Sequence, residues 1–143
     1  MFKKFFKKKD TQPVNKEDVL ITALLVHAAK IDENYTEVEK TLIKKAIMDL
    51  NSISSDEAEK LMLKAEEIEK QSNQIVGFTR EIKKKPMKFR LKVIEILWKI
   101  VYSDDTSDIF ESNLIRRVCG LLYISDKDSG EIKLKLKTKQ NKI

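Results

Sequence analysis

Two stretches of this 143-residue chain gather carboxylates densely enough to do chemistry. The first holds Asp32, Glu33, Glu37 and Glu39, and the second holds Asp104, Asp105, Asp108 and Glu111. Carboxylates this close repel one another unless a cation, a basic side chain or a helix N-terminus compensates them. One reading is a site for a hard divalent cation such as Ca or Mg, held by carboxylate and loop carbonyl oxygens. Its ligands would be Asp32, Glu39, Asp104 and Glu111, with Asp108, Glu33 and Asp105 as secondary candidates. A second reading is structural: Glu39 and Glu111 complete capping boxes, while Asp32 and Asp104 end one helix and favour the next. A third is an acidic docking surface for a basic partner. The spacing is not that of an EF-hand, because position twelve is Ile43 or Ile115 where a bidentate acid belongs, and no mid-loop Gly is present.

Other chemistries find little material. One Cys (Cys119) and one His (His27) give no disulfide, no Cys-based zinc site and no multi-His site. Three scattered Gly (Gly77, Gly120, Gly130) make no phosphate-cradling loop. Cys119 reads as a small buried hydrophobe and His27 as a core histidine, so no nucleophile has a base beside it. We therefore expect no catalytic residues, no cofactor-binding residues and no enzyme.

Charge is unevenly placed. The net +6 divides into +5 over residues 1–16, +4 over residues 131–143 and −3 over the remainder. A mildly acidic body argues against a dedicated nucleic-acid site. The start is different: Phe2, Phe5 and Phe6 fall at i, i+3, i+4 among Lys3, Lys4, Lys7 and Lys8. On a helix this is an aromatic stripe flanked by cations, suited to an anionic membrane surface or another polyanion. It lacks the apolar run and cleavage site of a secretory signal, and no apolar stretch is long enough to span a bilayer. The expected location is cytoplasmic, peripheral at the inner membrane face.

The elements that must position these residues are helices. The first carries Leu20, Ala23, Leu24, His27, Ala28 and Ile31 on one face behind Asn15 as N-cap. The second opens on the capping box Thr36-Glu37-Val38-Glu39 and carries Val38, Leu42, Ala46 and Leu50. The third opens on Ser54-Ser55-Asp56-Glu57 and turns Ala58, Leu61, Met62 and Ala65 inward. A short fourth covers Gln74 to Lys83, burying Phe78 and Ile82. Pro86 sits in the first turn of a fifth, whose wide apolar arc, including Leu97 and Trp98, marks a central helix. A sixth runs from Ile109 to Tyr123, and Ser125-Asp126-Lys127-Asp128 caps a seventh that ends in a basic tail. Only Ile132 to Leu136 alternates, and it is short and Lys-rich. The class is all-α, a compact bundle of about seven helices, organised as a basic segment and linker 1–16, a helical domain 17–128 and a basic tail 129–143.

The chain also repeats itself at an offset of 72 residues. Leu24-Leu25-Val26-His27-Ala28-Ala29-Lys30-Ile31-Asp32 aligns with Ile96-Leu97-Trp98-Lys99-Ile100-Val101-Tyr102-Ser103-Asp104. Glu39 then aligns with Glu111, and Leu42-Ile43-Lys44-Lys45-Ala46-Ile47 with Leu114-Ile115-Arg116-Arg117-Val118-Cys119. Each copy is a helix, an acidic turn and a second helix, so two equivalent hairpins are expected, bridged by helices three and four.

These residues resemble the TerB-like family, named for tellurite resistance. The resemblance lies in Leu97-Trp98, Val101-Tyr102-Ser103-Asp104, Glu111, Arg116-Arg117, Leu121-Leu122-Tyr123 and Phe78-Thr79-Arg80, with Val26 to Asp32 leading into the other turn. It covers roughly residues 18 to 128. The sequence departs at Glu33 and Asp105, which stand where the family usually has Gly and make both turns more acidic. The resemblance implies an all-helical domain, a part in stress response or membrane-linked assemblies, a protein partner and no established enzymatic activity. A related domain occurs in some J-domain co-chaperones, which makes a protein-binding module without metal the alternative; the J-domain tripeptide His-Pro-Asp is absent here.

Overall fold

The structure, a computed structural model, describes residues 15–31, 35–72, 74–103 and 109–141, with side chains excepted at 109–112 and 139–141. Among the described residues every regular element is helical: α1 (Lys16–Lys30), α2 (Glu37–Asn51), α3 (Ser55–Gln71), the short α4 (Ile75–Thr79), a 3-10 turn (Ile82–Lys84), α5 (Met87–Tyr102), α6 (Ile109–Leu121) and α7 (Asp126–Asn141).

Five of the helix starts, those of α1, α2, α3, α5 and α7, follow from local signals. Asn15 Oδ1 accepts the Glu17 N–H at 2.8 Å, and Ser54 Oγ accepts the Glu57 N–H at 3.2 Å. Thr36 and Glu39 form the expected reciprocal capping box. Ser125 Oγ accepts from the Asp128 N–H at 3.1 Å and opens α7. Pro86 is the N-cap of α5, one position before its first turn.

The two central helices are α1 and α5. Val93, Ile94, Ile96, Leu97, Trp98, Ile100 and Val101 of α5 are all buried. The first helix was expected to bury a single face; instead Val19, Ile21, Ala23, Leu24, Leu25, Val26, Ala28 and Ala29 are buried all round it. Its alanines let α2, α3, α4 and α5 approach from different sides.

The internal repeat is larger than a hairpin. Helix α3 packs along α1 as α7 packs along α5, so each copy is a three-helix unit, α1–α2–α3 and α5–α6–α7. Helix α4 lies between the units, touching α1 of the first and α6 of the second, and the units also meet directly where α5 packs on α1 and α2. Both second helices end in a left-handed residue, Ser52 (φ 53°) and Tyr123 (φ 58°). In each case the next N–H reaches back five residues, Ile53 to the Met48 carbonyl at 3.2 Å and Ile124 to the Cys119 carbonyl at 2.9 Å. This is the Schellman closure, with Ser54 and Ser125 then capping the third helices. Glycine holds φ > 0 without the Cβ clash. Tyr123 is 71% exposed, so Tyr123→Gly is expected to stabilise the fold by about 0.5–1 kcal/mol, read as an upward shift of the urea midpoint.

Four sequence expectations are corrected. The inward face of α2 is Glu39, Ile43 and Ile47, flanked by Leu42, Ala46 and Leu50; Val38 is 63% exposed. The capping box sets that register, because Glu39 must fold back onto Thr36 and its i+4 row is then turned inward. The expected fourth helix is broken into α4 and the 3-10 turn, though Phe78 and Ile82 are buried as expected. Pro86 holds Lys85 extended (ψ 160°), so helix cannot run through to α5. The sixth helix stops at Leu121, and Tyr123 lies in the turn that closes it. Finally, residues 129–141 are helix where a basic tail was expected. Ser129 is buried, accepting the Trp98 indole N–H at 3.1 Å, and Ile132 and Leu136 follow at helical spacing against the core.

Candidate functional site

Most of the acidic residues proposed from the sequence fall outside the described residues: Asp32, Glu33, Asp104, Asp105 and Asp108. Glu111 lies on α6, its side chain outside them as well, and so does the whole Phe2–Lys8 stripe. The frame around the first turn is defined. Helix α1 ends at Lys30, and Tyr35-Thr36 re-enter the fold before α2. Glu39 is 2% exposed. Its Oε1 accepts from the Thr36 backbone N–H at 2.8 Å and the Thr36 hydroxyl at 3.1 Å. Its own N–H donates to Thr36 Oγ1 at 3.2 Å. Glu39 is thus a helix cap, as the structural reading of the turn had it. Among the described residues no group of three or more His, Cys, Asp or Glu is placed to hold a metal ion.

Beside this turn lies a polar cluster that the sequence reading missed. Glu69 of α3 is 5% exposed. Lys30 donates to its Oε1 at 2.7 Å, and His27 Nδ1 lies 3.0 Å from its Oε2. Burial alone would raise the Glu69 carboxyl, but hydrogen bonds from Lys30 and His27 outweigh it and hold the group below its ordinary range. One turn away the Tyr35 hydroxyl donates to Glu66 at 2.8 Å, and the Lys40 ammonium sits 4.9 Å from the Tyr35 ring centre. Burial and that bond to Glu66 push the Tyr35 phenol up. His27 is largely buried, its side chain 18% exposed with Nδ1 on the Glu69 carboxylate and its ring 6.3 Å from that of Phe78. The signal was present, since the inward row Ala58, Leu61, Met62, Ala65 continues four residues on to Glu69.

Cys119 is 1% exposed, and burial pushes its thiol above the ordinary range, partly offset by a hydrogen bond with Ser129. Such a thiol is a poor nucleophile. It is expected to react with Ellman's reagent on the timescale of unfolding, and rapidly in denaturant; fast labelling of the native protein would contradict its burial.

A groove of about 400 Å³ runs between α5 and α7. Leu91 and Ile132 line it together with the charged side chains Lys88, Lys92, Glu95, Asp128, Glu131 and Lys135. Among the described residues no helix is long and apolar enough to cross a membrane.

An all-helical domain built of two similar three-helix units, each with a run of acidic sequence between its first two helices, is the class these features define. A family model described as tellurite resistance protein TerB matches residues 18–134, and the chain belongs to that family. No curated protein and no solved structure matches the chain.

Proposed function

We propose that the protein is a non-enzymatic interaction module of the TerB family, acting in stress response in the cytoplasm, whose two acidic turns bind a divalent cation such as Ca or Mg. One observation carries the cation reading. Asp32 follows the C-terminus of α1 and Asp104 that of α5, each with a second acid behind it. Helix C-termini carry partial negative charge and disfavour acids. The basic residues in the last turns of these two helices reach other acids: His27 and Lys30 reach Glu69, and Lys99 lies 3.7 Å from Glu95. A bound cation would supply the missing charge through Asp32, Glu33, Asp104, Asp105 and Asp108, with Glu111 able to join. Glu39 would support the site as a cap and not as a ligand.

The Phe2, Phe5, Phe6 stripe with Lys3, Lys4, Lys7 and Lys8 would hold the module loosely at the inner membrane face, since one short stripe gives only weak, reversible binding. The burial of Glu39 in its capping box favours a second reading, a co-chaperone-like protein-binding module with no metal.

Calorimetric titration with Ca, Mg and Mn separates the two. Saturable binding by the wild type, lost in Asp32→Asn/Asp104→Asn with helicity unchanged, is the expected result. Absence of binding by the wild type would remove the cation and leave the turns as caps or docking charges.

A further inference from the structure

Counted by segment, the body is not uniformly acidic. Residues 81–92 hold six cations against Glu81 alone, while residues 17–80 carry a net −5 and residues 93–130 a net −3. The fold brings this basic segment to the other one. Trp98 meets Ser129, and Lys88 shares a groove with Lys135, so α5 and α7 run antiparallel. The Lys-rich end of α7 therefore lies beside the Lys-rich start of α5. Four cations there are committed within the protein, Lys84 among them at 3.6 Å from Glu81. Arg90 donates to the Lys85 and Leu122 carbonyls at 2.9 and 2.6 Å, Lys85 pairs with Glu17 at 2.6 Å, and Lys92 lies 3.4 Å from Glu95. Lys83, Lys88, Lys135 and Lys137 are exposed, and no acid pairs with them among the described residues. Two apolar side chains stand out in the same segments, Met87 at 41% and Leu134 at 64% exposure.

We propose that this composite end of the bundle is a docking surface for an anionic lipid bilayer. Unpaired lysines attract the negative surface, and Met87 and Leu134 enter the headgroup region. Nucleic acid fits less well, because a phosphate backbone offers the exposed Met87 and Leu134 side chains no apolar phase to enter. The inference rests on the membrane-peripheral reading above but on different residues, and it supplies the second contact that stable peripheral binding requires.

The test is vesicle flotation of the full chain on phosphatidylcholine vesicles with and without phosphatidylserine. Three full-length variants are compared after circular dichroism confirms their helicity. Lys83→Glu/Lys88→Glu/Lys135→Glu reverses the surface. Lys45→Glu/Lys64→Glu/Lys70→Glu makes the same change in net charge at exposed sites on the first unit. Phe2→Ser/Phe5→Ser/Phe6→Ser removes the N-terminal stripe. The first variant is expected to lose on the order of a hundredfold in affinity for phosphatidylserine vesicles, with the second near wild type and the third still sensitive to phosphatidylserine. Equal loss in the first and second variants would reduce the effect to net charge and overturn the proposal. Loss confined to the third would overturn it while leaving the N-terminal anchor standing. Absence of wild-type flotation would overturn both. Tighter binding of a DNA duplex than of vesicles, lost in the first variant, would reassign the surface to nucleic acid.

Discussion

Trp98→Ala is expected to lower the unfolding free energy by about 4 kcal/mol, within the range for deleting a large buried aromatic. Trp98 is 6% exposed on the central helix α5. Its indole N–H satisfies the buried Ser129 hydroxyl at 3.1 Å, its ring stacks on Tyr102 at 6.1 Å, and the Lys133 ammonium lies 5.0 Å from its centre. Truncation removes the apolar burial, opens a cavity and leaves Ser129 without its donor. For a domain whose total stability is of order 5–15 kcal/mol, this is a large fraction. The damage should be directional, because Trp98 ties α7 to α5. Amides of residues 126–141 are expected to lose hydrogen-exchange protection first. Trp98→Phe keeps most of the burial and loses the hydrogen bond, so about 1–2 kcal/mol is expected. Urea unfolding followed by circular dichroism measures both, since either substitution removes the protein's fluorescent Trp. A loss below about 1 kcal/mol for Trp98→Ala would mean that α7 is not packed as described.

Glu69→Ala is the second large effect, about 2 kcal/mol. Removing one partner of a buried ion pair costs roughly 3–5 kcal/mol when the other charge stays buried. Lys30 is 38% exposed and can reach water, which lowers the figure. The same group gives the fold a pH dependence of known sign. Its carboxyl is held below its ordinary value of 4.5, so the folded state releases this proton more readily than the unfolded state. The stabilisation is complete above that ordinary value and is lost as pH falls through the lower folded value. Unfolding free energy should therefore decline on acidification below about pH 4.5, and less steeply in Glu69→Gln. Equal slopes for the two proteins would show that Glu69 is not paired in solution.

The contrast between Glu39 and Glu69 marks how far the sequence could be read. Glu39 was legible because a capping box is a local pattern: Thr36 and Glu39 are three residues apart and their geometry is set by one turn of helix. Glu69 meets Lys30 and His27 across about 40 residues of chain, and a lone Glu on a charged helix ordinarily faces water. Only its place in the Ala58–Ala65 row announced it. The same distinction explains α7. Its Lys-rich sequence has low intrinsic apolarity, and what ties it to the bundle is Ser129 under the Trp98 indole with Ile132 and Leu136 on the same face. The three-helix repeat was legible in part, since the two hairpins align at a fixed offset. The third helices share only their capping serines, Ser54 and Ser125, so their equivalence appears only in the packing. The basic end escaped the sequence reading because its two segments lie about 45 residues apart, and a whole-body net charge averages it away.

Binding of a divalent cation by the two acidic segments is tested most directly by amide broadening with Mn²⁺. On 15N-labelled wild-type protein at substoichiometric Mn²⁺, broadening should centre on residues 31–36 and 103–109 together and be reversed by excess Mg²⁺. Broadening centred elsewhere, or uniform weak broadening across the surface, would contradict it.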